Sequence, residues 1–221
     1  MVYLARKKAT GRYYGKRGQA EPSGLGKDRW MYLLSSMAIM VFLLSPGANA
    51  FAATQVSDEY QIKAAFIFNF IKFVDWPQSS FSDQKAPYII GVVGKDPFGE
   101  HLDLLAKKPV KDRPITIKRF GPIPQDGDPV HPQLDQIIQC HVLFISPSEK
   151  KGTSRLIKAL GNHTILAIGD EPGFLADGGI MNFLLEDKKV RFEVGLGKAK
   201  AVGLQISSQL LRLAKRVQEE M

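Results

Sequence analysis

The residues best suited to chemistry in this 221-residue chain are four histidines and one cysteine. The histidines are His101, His131, His141 and His163. No two of them stand four positions apart, as the two histidines of a helical zinc site do. Cys140 and His141 are adjacent, and adjacent side chains of a strand point to opposite faces, so they cannot share a metal ion. We therefore predict no metal site and interpret Cys140 as a small core residue.

Three further segments carry residue types found in catalytic or phosphate-binding motifs, but each lacks the rest of the motif. Gly94–Gly99 follows an apolar run, yet it has neither the Gly-Lys-Ser/Thr ending of a phosphate loop nor the glycine spacing of a dinucleotide site. Ser146 and Ser148 suit a helix cap, and no nucleophile elbow surrounds them. Asp170 and Glu171 precede a Pro-Gly turn, which is typical of solvated turn residues. The sequence therefore predicts no catalytic residue, no cofactor and no enzyme.

The remaining candidate residues lie in loops that follow predicted strands. Ligands of open α/β sheets bind beyond the carboxyl ends of the strands. We predict a ligand or recognition surface made of eight residues: Asp96, Pro97, Phe98, Asp170, Pro172, Gly173, Phe174 and Arg191. Nothing in these loops specifies a reaction, so the prediction is limited to binding.

The elements that would position these loops alternate between strands and helices. Continuous or alternating apolar runs predict strands at 88–93, 114–120, 141–145 and 164–168. Helices are predicted at 58–75 with Ser57 as N-cap, from Asp96-Pro97 to 106, at 133–139, and from a capping box at Ser146–Glu149 to Leu160. Residues 121–132 are rich in Pro, Gly and Asp and predict a surface loop.

The end of the chain changes rhythm. The runs 180–185 and 190–196, with a polar turn between them, predict an antiparallel hairpin. The spacing of five apolar residues predicts a final amphipathic helix over 198–217; they are Val202, Ile206, Leu210, Leu213 and Val217. The fold class predicted is α/β: a mainly parallel sheet flanked by helices on both faces, with a C-terminal antiparallel hairpin and that final helix.

The first predicted helix carries more apolar surface than packing on one side of a sheet requires. Its polar residues fall within an arc of about 120°; they are Gln61, Asn69, Lys72 and Asp75. The helix is therefore either wedged between the sheet and another helix, or part of it meets a second subunit or a partner. For the second case we predict an interface of Phe66, Phe68, Phe70, Phe73 and Trp76.

The beginning of the chain has the three parts of a secretory signal peptide. Residues 1–29 are basic, residues 30–44 form an apolar run, and Ala48-Asn49-Ala50 is a small-x-small cleavage site. A helix needs about 20 apolar residues to cross a bilayer, so this run is short for an anchor. We predict a signal peptide with a long basic n-region over residues 1–50, cleaved after Ala50, and a single domain over residues 51–221. An uncleaved N-terminal anchor is the alternative.

Composition limits the class of protein. With 44% apolar and 24% charged residues the chain is globular, and its single cysteine excludes an intrachain disulfide. The net charge is +8, but residues 1–50 hold eight Lys/Arg and two Asp/Glu and so carry +6 of it. The body carries only +2, which gives no electrostatic support for binding nucleic acid, and we predict none.

Several segments in a fixed order carry a family resemblance that runs from about Tyr60 to Val217. They are Ile62–Phe70, Phe73–Pro77, Ile90–Gly94, Asp96–Gly99, Cys140–Ser146, Gly169–Phe174, Gly178–Phe183, Val190–Val194 and Gly203–Ala214. Each is weak alone, but together and in this order they resemble the YfiR family of bacterial periplasmic proteins.

The resemblance implies a non-enzymatic regulator, exported to the periplasm and often dimeric. It implies a partner, the periplasmic domain of an inner-membrane diguanylate cyclase, which the regulator holds inactive so that less cyclic di-GMP is made. It also implies a second partner, an outer-membrane-associated lipoprotein that relieves the repression. The best-known members carry several cysteines in disulfides, and this sequence matches only Cys140. The alternative function is a periplasmic small-molecule sensor that uses the strand-end loops.

Overall fold

Strands and helices alternate along the chain in a computed structural model that describes residues 47–125 and 130–219, with side chains from Asp58 onward. The strands are β1 (Val74–Asp75), β2 (Tyr88–Val93), β3 (Ile115–Phe120), β4 (Val142–Ile145), β5 (Leu166–Gly169), β6 (Met181–Glu186), β7 (Lys189–Gly195), β8 (Gln205–Ile206) and β9 (Arg216–Gln218). The α-helices are α1 (Gly47–Phe73), α2 (Glu100–Ala106), α3 (Leu134–Ile137), α4 (Thr153–Leu160), α5 (Leu196–Ala201) and α6 (Ser208–Leu211).

Seven of the described strands form one sheet in the order β3-β2-β4-β5-β6-β7-β9. The pairs from β3 to β6 are parallel, β6 and β7 pair as an antiparallel hairpin, and β9 adds a parallel strand at the edge. The α/β class, the mainly parallel sheet and the antiparallel pair are therefore confirmed. In the hairpin turn, Asp187 and Lys188 both have positive φ, of 48° and 59°, which matches the twist that two-residue hairpin turns require.

The sheet is buried on both faces because its central strands are apolar throughout. Along β4, Val142 and Phe144 belong to the core cluster under α1, while Leu143 and Ile145 belong to the cluster under α4. This alternation explains why a continuous apolar run predicts a parallel strand covered by helices on both sides.

The predicted final helix over 198–217 is wrong. Helix α5 ends at Ala201, because Gly203 has a φ of 81° and Leu204 N donates to Ala199 O at 2.9 Å, a glycine-based helix stop. The chain then forms β8, which pairs with β1, the short helix α6, and β9. The five apolar residues are thus spread over separate elements, and Leu213 is 65% exposed.

Three predicted helix starts also differ. Helix α1 begins at Gly47, so Ser57 lies inside it and is not an N-cap. Helix α2 begins at Glu100, because the Asp96 carboxylate accepts the Phe98 amide at 2.7 Å and closes a turn instead. The predicted capping box forms a 3-10 turn over Pro147–Glu149, in which the Glu149 carboxylate accepts the Ile123 amide at 2.6 Å, and α4 starts only at Thr153.

The other predicted strands and helices are found within two or three residues of their expected bounds. Residues 1–46 of the predicted signal peptide and residues 126–129 of the predicted surface loop lie outside the described residues. None of the described helices combines the length and the hydropathy that crossing a bilayer requires.

Candidate functional site

Helix α1 buries one stripe against the sheet and leaves apolar residues at the edge of that stripe. Phe70 is fully buried, with its ring stacked on Phe183 at 5.7 Å and edge-on to Phe192 at 5.1 Å. Trp76 is also buried, and its indole nitrogen donates to the His141 carbonyl at 3.2 Å. Two of the five predicted interface residues are therefore core residues in this structure.

The other three predicted interface residues, Phe66, Phe68 and Phe73, are half-buried. Ile62, Phe66 and Phe73 follow one line of α1, and Ile62 is 47% exposed. Leu185, 57% exposed, follows Phe183 by two positions on β6 and so lies on the same sheet face, while Phe66 contacts Phe183 with ring centres 6.1 Å apart. We call Ile62, Phe66, Phe73 and Leu185 the apolar flank.

An ion pair fixes α1 to the loop after β5. Lys63 Nζ lies 2.7 Å from Asp170 Oδ2 and 2.5 Å from Glu59 Oε1, and the Tyr60 hydroxyl donates to Asp170 Oδ2 at 2.7 Å. The side chains of Lys63 and Asp170 are only 4% and 3% exposed. Burial, and then the hydrogen bond to Asp170, raise the pKa of Tyr60, so this hydroxyl stays protonated and acts as a donor. Asp170, predicted as a recognition residue, is thus part of the packing of α1.

The first predicted loop is also held by internal contacts. The Asp96 carboxylate accepts from Arg119 Nε at 2.6 Å, and Arg119 pairs with Asp103 as well. Phe98 is buried between Tyr60 and Phe144, with ring centres 5.4 and 4.7 Å away. Pro97 lies beside it, half-buried. Phe98 therefore belongs to the core and is not exposed for contact with a ligand.

Phe174 is likewise buried, in a slot made by two glycines. A Cβ atom added at Gly169 or Gly179 would collide with its ring. A residue that is predicted to meet a ligand therefore closes the core beneath α4.

The structure places part of the predicted recognition surface at an open groove. Pro172 and Gly173, from the loop after β5, line a cavity of about 440 Å3 together with Asn182 and Leu184 of β6, Glu193 of β7 and Arg216 of β9. We call these six residues the hairpin groove; Glu186 and Lys215, which form an ion pair at 3.0 Å, also line the cavity. Since β6 pairs with β5 only as far as Gly169–Asn182, the groove lies beyond the carboxyl end of β5, where α/β sheets bind ligands.

Three polar side chains of this groove form a chain of contacts. Asn182 Nδ2 donates to Glu193 Oε1 at 3.0 Å, and an Arg216 guanidinium nitrogen donates to Glu193 Oε2. Asn182 is fully buried, and its Oδ1 has no hydrogen-bond partner among the described residues. A buried amide oxygen without a partner is uncommon and calls for an explanation.

Arg191, the last residue of the predicted recognition surface, lines a second cavity of about 320 Å3. Glu186 and Lys215 line both cavities, so the two adjoin each other. Asn182, Glu193 and Arg216 were not predicted from the sequence. The available signal was a polar residue inside each of two apolar strand runs, and it gains meaning only when the hairpin register places Asn182 opposite Glu193.

His141 and Cys140, which the sequence analysis considered as metal ligands, have structural roles. The His141 Nδ1 accepts the Ile89 amide at 3.1 Å, and its Nε2 lies 3.0 Å from the Ser80 carbonyl. Cys140 is buried in the core, as predicted, and burial raises the pKa of its thiol to about 12, so it stays protonated. Within the ranges 47–125 and 130–219, no group of three or more potential ligand residues is placed to hold a metal ion.

A family model described as YfiR/HmsC-like matches residues 60–215, which include the apolar flank and the whole sheet. The chain belongs to the YfiR/HmsC-like family. Members of this family are regulators and are not known as enzymes, and the family points to periplasmic control of diguanylate cyclase signalling. The suspected resemblance is therefore confirmed.

Solved structures support the fold of this YfiR/HmsC-like chain. One of them, a conserved domain protein from Vibrio cholerae O1 biovar El Tor, is similar with a TM-score of 0.51 and 12% sequence identity. The match covers 72% of this chain and 60% of that protein, so it spans less than two thirds of the relative's length. No curated protein matches the chain significantly.

Proposed function

We propose that this protein is exported to the periplasm, binds the periplasmic domain of an inner-membrane diguanylate cyclase and represses it. The observation that carries the proposal is the family match over residues 60–215. Homodimerisation, and release by an outer-membrane-associated lipoprotein, are the further steps that the resemblance implies.

The apolar flank is the surface we propose for the cyclase. Large exposed apolar side chains that lie together are typical of docking sites. Two of its members, Ile62 and Leu185, are about half exposed, while Phe66 anchors the flank to the core through Phe183 and Phe192. A partner on this surface would therefore meet a support that is fixed by aromatic packing.

Repression requires only that the regulator prefer the inactive cyclase. A binder shifts a conformational equilibrium by its difference in affinity for the two states. A preference of about 2.8 kcal/mol gives a hundredfold shift. Burial of a few large apolar side chains is worth about that much, at roughly 25 cal/mol per Å2.

Recovery of a diguanylate cyclase with the exported protein from solubilised membranes tests the proposal. Ile62→Glu should abolish recovery of the cyclase and raise cyclic di-GMP in the native host. Leu104→Glu is the matched control, since Leu104 on α2 is 52% exposed and lies outside the flank. Phe70→Asp is unsuitable, because Phe70 is buried and the change would unfold the domain.

Two results would overturn the proposal in different ways. If no cyclase is recovered and deletion of the gene leaves cyclic di-GMP unchanged, the function is wrong. If the cyclase is recovered equally with Ile62→Glu and Leu104→Glu, the function stands and the flank is not the interface.

A second candidate function is a periplasmic small-molecule sensor. The hairpin groove supports this candidate. Pro172 and Gly173 of the predicted recognition surface line the groove, and Arg191 lines the adjoining cavity.

A further inference from the structure

Residues 77–87, which join β1 to β2, lie beside the amino-terminal ends of the parallel strands. Ala86 is the only fully buried residue among them. Arg113, two residues before β3, holds the segment by donating to the carbonyls of Asp83 and Ala86 at 2.8 and 2.9 Å. We call residues 77–87 the strap. Because so little of the strap is buried, its position depends on a few contacts with side chains of other elements.

His141, directly before β4, is the second side chain that holds the strap, and it is only 5% exposed. Its Nδ1 accepts the Ile89 amide at 3.1 Å, so the proton of the neutral ring lies on Nε2, which donates to the Ser80 carbonyl at 3.0 Å. The Phe81 ring stacks on the imidazole with ring centres 4.5 Å apart. One neutral imidazole therefore ties the strap to β2 and β4.

A second proton on His141 does not fit this arrangement. Both nitrogens of a charged imidazole are donors, so Nδ1–H and the Ile89 N–H would face each other with no acceptor between them. The ring must then turn or move, and its contacts with Ser80 and Phe81 are lost. The hydrogen bonds from Arg113 do not involve this proton, so the strap opens from its Ser80 end.

The surroundings of the ring also oppose its charged form. Burial lowers the pKa of His141 and so does the charge of Arg113, while the hydrogen bond to the Ser80 carbonyl acts in the opposite direction. The Tyr88 ring meets the imidazole edge-on at 5.5 Å, and burial raises the pKa of its hydroxyl, so Tyr88 brings no charge. His163 lines the same cavity, and no carboxylate among the described residues forms a hydrogen bond or ion pair with the ring. An open strap therefore takes up the proton more readily than a closed one.

The strap also closes one side of a cavity of about 340 Å3, which Ser79 and Ser80 line together with His141 and His163. We propose that acid releases the strap: when His141 takes up a proton, the strap opens from its Ser80 end and widens this cavity. The inference is separate from the proposed repression of a cyclase, because none of these residues belongs to the apolar flank.

Hydrogen exchange of backbone amides, followed by NMR on the protein expressed from its full coding sequence, tests the release. A histidine that titrates near its ordinary value in the open strap and stays neutral in the closed one makes opening up to about thirtyfold more favourable at pH 5 than at pH 7.5. We expect that increase at the amides of Ile89 and Phe81, after correction for the intrinsic effect of pH on exchange. Small amounts of urea should leave these two amides unaffected and accelerate exchange at Asn182 and Glu193, which pair across the hairpin, because opening the strap exposes far less surface than unfolding does.

Two variants assign the effect to one histidine. His141→Asn should remove the pH dependence at Ile89, because the amide oxygen accepts a hydrogen bond and does not titrate. His163→Gln is the matched control: it changes an exposed histidine of the same cavity and should keep the full increase. If His141→Asn does not fold, the pH and urea dependences of the unchanged protein decide.

The proposal is overturned if corrected exchange at Ile89 is the same at both pH values, or if urea accelerates exchange as steeply at Ile89 as at Asn182. It is also overturned if His141→Asn keeps the full increase, or if His163→Gln loses it.

Discussion

At the scale of single residues, the ion pair between Lys63 and Asp170 is the most deeply buried salt bridge in the described part of the chain. Both side chains are almost fully buried and lie 107 positions apart in the chain. Asp170 Oδ2 accepts hydrogen bonds from both Lys63 Nζ and the Tyr60 hydroxyl, each at 2.7 Å. Loss of one partner of such a pair leaves a buried charge uncompensated.

We expect Lys63→Met to lower the free energy of unfolding by about 3–5 kcal/mol. Lys72→Met is the matched control, because Lys72 is exposed on the same helix, and it should change that free energy by less than about 1 kcal/mol. Urea denaturation followed by circular dichroism measures both. The double change Lys63→Met/Asp170→Leu should recover much of the loss, and equal losses in Lys63→Met and Lys72→Met would contradict the prediction.

His141 predicts a dependence of stability on pH. Burial lowers the pKa of its imidazole; the nearby Arg113 lowers it further, and the hydrogen bond to the Ser80 carbonyl opposes the shift. The neutral ring accepts the Ile89 amide at Nδ1, so a second proton would break that bond. Because the pKa in the folded state is below the unfolded value of about 6.5, the unfolded state takes up the proton first.

The contribution of His141 is therefore complete above about pH 6.5 and is lost as the pH falls through the folded pKa. We expect the free energy of unfolding to fall between pH 7.5 and pH 5, and to fall less steeply in His141→Asn. His163→Gln, a change at an exposed histidine, should keep the slope of the unchanged protein. Identical slopes in all three proteins would remove His141 from the explanation.

At the scale of elements, one glycine decides how the chain ends. The hydrogen bonds from Leu204 N to Ala199 O and from Gly203 N to Lys200 O, at 2.9 and 3.0 Å, close α5 around a residue in the left-handed region. This stop frees the following residues to form β8 and β9.

Gly203→Ala should lower the free energy of unfolding by about 1–2 kcal/mol, because a side chain disfavours positive φ. Steric conflict adds little, since the nearest atom to an added Cβ is Thr164 Oγ1 at 3.8 Å. Gly121→Ala serves as the control: its added Cβ meets nothing within 4 Å and its φ is not in the left-handed region. Thermal unfolding compares the two, and equal midpoints would show that the stop is not set by Gly203.

The elements show which patterns in a sequence are decisive. The runs at 88–93 and 141–145 predict strands correctly to within one residue, because a strand buried on both faces must be apolar throughout. The spacing of Val202, Ile206 and Leu210 fits one long helix, but the chain forms β8 at Ile206 and the short helix α6 at Leu210. Periodicity alone therefore predicted the wrong element. Gly203 and Ser207, which caps α6 by accepting the Leu210 amide, were the local signals that should have outweighed it.

The candidate groove was only partly predictable, for a physical reason. Pro172 and Gly173 follow a strand directly, so the general rule for α/β sheets finds them. Asn182 and Glu193 meet through the register of the hairpin, and Arg216 reaches Glu193 only because β9 pairs with β7. Such long-range pairings are set by the packing of the whole sheet and cannot be derived from the spacing of residues along the chain.

At the scale of the whole molecule, the proposed export predicts that the mature chain begins directly after Ala50. The small-x-small site ends at Ala50, within α1, which begins at Gly47. We expect the intact mass of the protein recovered from the exported fraction to correspond to residues 51–221. Ala48→Arg should block processing and leave the longer chain at the membrane, whereas Ser57→Arg, beyond the site, should be processed normally. Recovery of the unprocessed chain free in the cytosol would contradict export.

The first helix and the last residues of the chain depend on each other. Val74, directly after α1, pairs with Ile206 of β8, and Lys63 is held by Asp170, more than one hundred positions later. Synthesis starts at the amino terminus, so most of the chain has left the ribosome before α1 meets either contact. During that interval the apolar stripe of this helix lacks its partners, because Phe70 packs on Phe183 and Phe192, which are synthesised more than one hundred residues later.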